Sequence, residues 1–132
     1  MEIANNSWYK FRNAVYAHQF DEAEDMLQQE PKLLHLTNST GETVLHFLAV
    51  ENDQQGVAWL HKSGADLNTR NSFGTPVIFE VAQLGYKELL LWFSANGANF
   101  HVKDDDDQDI YEYLEEFNHK EMVKWVHNNI AP

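Results

Sequence analysis

"SGADLNTRNSFGTP" (Ser63–Pro76) and "NGANFHVKDDDDQD" (Asn96–Asp109) begin 33 residues apart, and each carries a Gly-Ala step followed by Asp or Asn. Sliding the whole chain by that interval turns the coincidence into a register. Gly41 falls on Gly74, Ala49 on Ala82, Trp59 on Trp92, Gly64 on Gly97 and Ala65 on Ala98. A further step puts Leu90 on Val123, Trp92 on Trp125 and Ala98 on Ala131. Backwards, Trp59 falls on Met26, Leu60 on Leu27 and Leu67 on Leu34, with one extra residue before Met26. A period of this size marks stacked supersecondary units, each too small to bury its own apolar face.

The residue types define the unit. A turn with Gly leads into a short apolar segment, "TVLHFLAV" (43–50) or "PVIFEVAQ" (76–83), long enough for two or three helical turns. A polar break follows, "END" or "LGY", and then a second helical stripe, "QGVAWLHK" (55–62) or "KELLLWFS" (87–94). The Gly of Gly-Ala-Asp closes that second helix, since it can take positive φ. Thr43 is expected to cap the first helix of one unit. Thr75 is expected to cap the next, with Pro76 at its first helical position. Asp109 and Glu112 have the spacing of a capping box. Met26, Trp59, Trp92 and Trp125 lie on apolar faces of second helices and are expected to form the core between units.

At this point the chain resembles the ankyrin-repeat family, whose pattern is roughly G-x-T-P-L-H-x-A-A with a G-A-D-V-N closure. "GETVLHFLA" with "GADLN" fits well, and "GTPVIFEVA" with "GANFH" fits adequately. The segment "AVYAHQFDEAEDMLQQEPKLLHLTN" resembles the usual N-terminal unit. The resemblance implies an all-α solenoid of four stacked helix-turn-helix units, about 7–37, 38–70, 71–103 and 104–132. Two internal repeats lie between capping units. There are departures: Val44 stands where the family has Pro, Phe79 replaces the His that His46 retains, and Glu115 falls on an Ala column. The last suits a terminal unit with a wet outer face.

Composition narrows the function. The net charge is −12, and between Asp104 and Glu121 nine acids face one base, Lys120, giving 9 − 1 = 8 of those negative charges. Such a field repels nucleic acid and attracts a basic protein surface. There are no cysteines, which excludes disulfides and a cysteine nucleophile and suits a reducing compartment. With no basic-apolar leader in "MEIANNSWYKFR" and no long apolar run, the expectation is a cytoplasmic protein without membrane contact, monomeric when free. Whether "WYKF" packs as a cap or pairs with another copy stays open.

Chemical motifs are weak. Asp105, Asp107, Asp109 and Glu116 occupy places one, three, five and twelve of an EF-hand loop, but Ile110 stands where that loop needs Gly. Glu112, Glu116 and His119 could share a helical face, yet a di-iron site needs a second such set on another helix. No phosphate loop or nucleophile elbow is present. No catalytic residue, cofactor or metal ligand is assigned.

What remains is surface. In the family that this chain resembles, partners are gripped by turn tips and by outward positions of first helices. Carried over by column, the tips are Ser39, Thr40 and Glu42; Ser72, Phe73 and Thr75; Asp105, Asp106 and Gln108. The helix positions are Val50 and Glu51, Gln83 and Leu84, Glu116 and Phe117, with Tyr16 and Ala17 as N-terminal equivalents. Val50, Phe73, Leu84 and Phe117 are apolar where a solubilising face is polar, and apolar anchors ringed by acids suit a protein-binding patch. The competing reading folds Phe73 and Phe117 back onto their own units. The resulting expectation is a non-catalytic binding module. Small acidic arrays of this design resemble bacterial immunity or inhibitor proteins, which implies a basic, nuclease-type toxin as the partner. A generic scaffold or adaptor, or a metal-responsive or enzymatic protein using the acidic turn and His119, are the alternatives.

Overall fold

The structure is a computed structural model that describes residues 3–130, with side chains from 6 onward. Ala131, the last column of the register, lies outside the described residues. Eight α-helices are described: α1 (Ile3–Tyr16), α2 (Phe20–Gln29), α3 (Val44–Val50), α4 (Gln54–Lys62), α5 (Val77–Gln83), α6 (Lys87–Ala95), α7 (Ile110–Glu116) and α8 (Lys120–Asn129). A 3-10 turn, Pro31–Leu34, follows α2. Among the described residues there is no strand, only an isolated bridge between Arg70 and Pro76. No described helix is long and apolar enough to cross a membrane.

Each first helix packs on its own second helix, and the first helices α1, α3, α5 and α7 pack on one another along the stack. The first helices α3, α5 and α7 start at Val44, Val77 and Ile110, so the 33-residue step becomes a translation along the array. Side chains at the helix starts explain part of this regularity. The Thr43 hydroxyl accepts from the His46 amide, and Asp109 with Glu112 makes a reciprocal capping box. At α5 the expectation needs correction. Thr75 does not cap that helix; Pro76 is itself the N-cap residue, extended at φ −62° and ψ 144°, and the helix begins one residue later.

The core runs continuously through the stack. Leu45, Leu48, Ala49, Val77, Phe79, Val81, Ala82, Ile110 and Leu114 fill the first-helix side. The second helices contribute Leu27, Leu60, Leu90, Phe93 and Val126. Here too the sequence reading needs correction: Met26, Trp59, Trp92 and Trp125 are only partly buried and lie against the core rather than within it. One residue along a helix is a turn of about 100°, so the next residue, Leu27, Leu60, Phe93 or Val126, takes the inner position. The tryptophans instead roof the second-helix side. Trp59 stacks on Phe20 at 5.3 Å, and Trp92 meets the His61 ring edge-on at 5.7 Å.

The N-terminal segment packs as a cap on the stack. Trp8 and Phe11 are fully buried, and Trp8 packs edge-on against Phe47 of α3 at 5.6 Å. Arg12 lies over the rings of Trp8, Tyr9 and Phe47, covering this end of the core with its stem and placing its charge over their faces.

Candidate functional site

The turn tips are built by one repeated device. Asn38, Asn71 and Asp104 stand at equivalent positions, and each side-chain oxygen accepts two backbone N–H groups across its own loop. The donors are Thr40 and Glu42, Phe73 and Thr75, and Asp106 and Gln108, at 2.9–3.1 Å. The side chain replaces a turn's backbone acceptor, so each loop closes on itself. These organising residues were absent from the sequence reading, although a polar Asx column 33 residues apart was their signal.

Successive tips then lie on one another. The amide and hydroxyl of Ser72 both donate to the Thr40 carbonyl, at 3.0 and 2.9 Å. Gly41 makes this approach possible. Its φ is +77°, and a Cβ there would come within 2.4 Å of the Ser72 backbone nitrogen. One unit on, Gly74 has the same φ, and a Cβ would meet the Asp105 carboxylate at 2.0 Å. Asp105 in turn lies 4.0 Å from Arg70, whose guanidinium donates to the Gly74 carbonyl at 2.9 Å. Ser72 and Asp105 thus hold tips together as well as facing solvent.

None of the fifteen sequence-derived surface residues is buried. Ser39, Thr40, Glu51, Ser72, Phe73, Leu84, Asp105, Asp106, Glu116 and Phe117 are exposed; Glu42, Val50, Thr75, Gln83 and Gln108 are half-buried. Phe73 is 75% exposed and does not fold back onto its unit. Phe117 is 50% exposed while its ring rests on Tyr113 at 4.9 Å, so it packs on its own unit and also faces water. The apolar side chains form two rows rather than one patch. Phe73 belongs to the tips, whereas Val50, Leu84 and Phe117 lie at the C-terminal ends of α3, α5 and α7. A seven-residue helix, about 10 Å long, separates the rows. Two cross-unit bonds fix the second row: Tyr86 donates to the Val50 carbonyl at 3.0 Å, and Tyr16 donates to Glu51 at 3.4 Å.

Acids dominate the field between and around these rows. Tyr113 registers it: burial first, then the charges of Glu80, Asp104 and Glu116, push its hydroxyl from 10.0 up to about 12. Glu80 also meets buried His46, and with Glu42 these groups bring ligand atoms within 4.8 Å of one another.

Short first helices α3, α5 and α7 backed by longer second helices, with self-closing tips in register, define a helical repeat solenoid. The family model for ankyrin repeats (many copies) matches residues 45–93, from α3 to α6. Over that stretch, which takes in its two central units, the chain is similar to ankyrin repeats. No curated protein matches the sequence. Ankyrin arrays are protein–protein interaction modules and in general lack catalytic chemistry.

Proposed function

We propose that this protein is a non-catalytic cytoplasmic inhibitor that captures a basic protein on the face formed by its tips and first helices. The observation that carries the reading is Phe73, an aromatic ring 75% exposed on a turn tip whose neighbour in the next unit is an Asp-rich loop. Exposing such a ring has no folding advantage, and aromatic side chains ringed by charge are how binding hot spots are built. The second apolar row at Leu84 and Phe117 supplies another anchor, and Glu51, Asp106 and Glu116 supply the charge. A toxin that attacks nucleic acid fits as the occluded partner, because its working cleft must be basic. The scaffold or adaptor reading uses the same surface and differs only in the partner's fate.

Affinity capture from the native cells with wild type and Phe73→Ala in parallel tests the proposal. A basic protein retained only by wild type, and inactivated on binding, is the expected result. Surface plasmon resonance on it should then separate the two kinds of residue. Phe73→Ala should speed dissociation by an amount worth roughly 2 kcal/mol. Asp106→Asn should slow association at low salt, with the difference closing as salt rises. A partner that binds both variants like wild type and is lost on changing α4 or α6 instead places recognition on the other face. A partner that remains active when bound favours the adaptor.

A further inference from the structure

At the junction of α3 and α5, three side chains from separate points of the chain converge on one place. Glu42 comes from the loop before α3, His46 from the first turn of α3, and Glu80 from the middle of α5. We propose that Glu42, His46 and Glu80 bind a divalent transition-metal ion of the zinc class, tying the two central units together.

The first ground is the state of His46. Its side chain is 0% exposed, and its Nε2 lies directly against Glu80 Oε1. An unprotonated ring nitrogen and a carboxylate oxygen repel each other, so either a proton or a cation must lie between them. Its Nδ1 has no hydrogen-bond partner among the described residues, so nothing on the far side of the ring fixes which nitrogen carries a proton. Two carboxylates and one imidazole are a donor set whose charge a divalent ion would balance.

The second ground is Glu42. Its Oε1 accepts from Asn38 Nδ2 at 3.0 Å and from the Thr40 hydroxyl at 3.2 Å. Hydrogen bonds of this kind aim a carboxylate and are the usual outer support of a metal ligand. The third ground is what the fold accepts elsewhere. At the next junction the three columns hold Thr75, Phe79 and Tyr113, and the rings of Phe79 and Tyr113 simply pack at 5.2 Å. Stacking the units therefore does not require a polar trio, and the central junction has one where its neighbour has an aromatic pair.

The geometry is within reach of coordination. Tetrahedral zinc holds N and O ligands at about 2.0–2.2 Å, which puts the ligand atoms roughly 3.4 Å from one another. The three atoms already lie within 4.8 Å, and both glutamates are half-buried and rotatable. Three protein ligands leave a fourth position, and Glu80 is 29% exposed, so that position opens towards solvent.

The test is calorimetric titration of the metal-free protein with Zn2+, with thermal unfolding in Zn2+ and in chelator alongside. Wild type should bind one ion and unfold at a higher temperature when it is present. Glu80→Gln and Glu42→Gln, both at partly solvated positions, should each weaken binding by more than about tenfold. An Asp105→Asn, Asp106→Asn double variant should leave it unchanged. Co2+ in place of Zn2+ should give the visible absorption of a four-coordinate ion in wild type and lose it in Glu80→Gln. Absence of Zn2+ binding by wild type overturns the proposal and leaves a proton between His46 and Glu80. Binding that survives both glutamine variants, or that disappears with the aspartates of the tip, overturns it equally.

Discussion

Replacing Gly41 with Ala should cost far more than the same change at Gly97, although both glycines have positive φ. At Gly97 the φ is +90° and no described residue lies within 4 Å of the added carbon, so among the described residues the variant meets backbone strain alone. For an L-residue in the left-handed region that strain is about 1–2 kcal/mol. Gly41 has φ +77° and bears a comparable strain, but its new Cβ would also sit 2.4 Å from the Ser72 nitrogen and 2.9 Å from its Cα. Backbone cannot rotate away as a side chain can. The second tip must therefore lift, and with it go the two bonds from Ser72 to the Thr40 carbonyl. At about 0.5–1.5 kcal/mol each, they add roughly 1–3 kcal/mol to the strain. Gly41→Ala should then lose about 2–5 kcal/mol, and Gly97→Ala about 1–2 kcal/mol. Urea unfolding, followed through tryptophan fluorescence, measures both from the shift in midpoint at constant slope. Equal losses in the two variants would refute the idea that contact between tips, rather than glycine's freedom alone, fixes Gly41.

Leu60→Ala, which empties a site only 1% exposed, should cost about 2–5 kcal/mol; Trp59→Ala, wet on one side, should cost less than the roughly 3–5 kcal/mol of a fully buried tryptophan. Comparing their denaturant midpoints checks the inward column. Tyr113, neutral to about 12 in the fold but to about 10 in the unfolded chain, should make stability fall as pH rises from 10 towards 12, because the unfolded state sheds its proton first. Ultraviolet titration should show one of the five tyrosines ionising late, and Glu80→Gln should bring that step down.

Much of the fold was legible because stacking imposes the same demands on every unit. Gly64 and Gly97 both take positive φ, and the apolar segments recur where helices begin. The misreadings come from questions that spacing cannot answer. Trp59 and Leu60 are both apolar and adjacent, so sequence shows that the face is buried but not which of the two points inward. Pro76 suits either an N-cap or a first helical position, and one residue of register separates them. Trp8 sits in a unit with no Gly-Ala closure, which left its partner α3 unannounced. The trio at Glu42 crosses between units: His46 and Glu80 are 34 residues apart, one more than the repeat step, and the pairs Tyr16–Glu51 and His18–Asp53 are 35 apart. Contacts between layers follow the tilt of the stack, and only the structure supplies that tilt.

The third tip departs from the other two at the position of their glycine. Where Gly41 and Gly74 stand, the last unit has Asp107, also left-handed at φ +61°. Aspartate tolerates that conformation, so its own loop closes normally. What Asp107 removes is the bare surface on which Ser72 and Asp105 rest in the units before it. Another repeat added in register would find a side chain where its tip must land. Building a further repeat onto this unit by design would begin with Asp107→Gly.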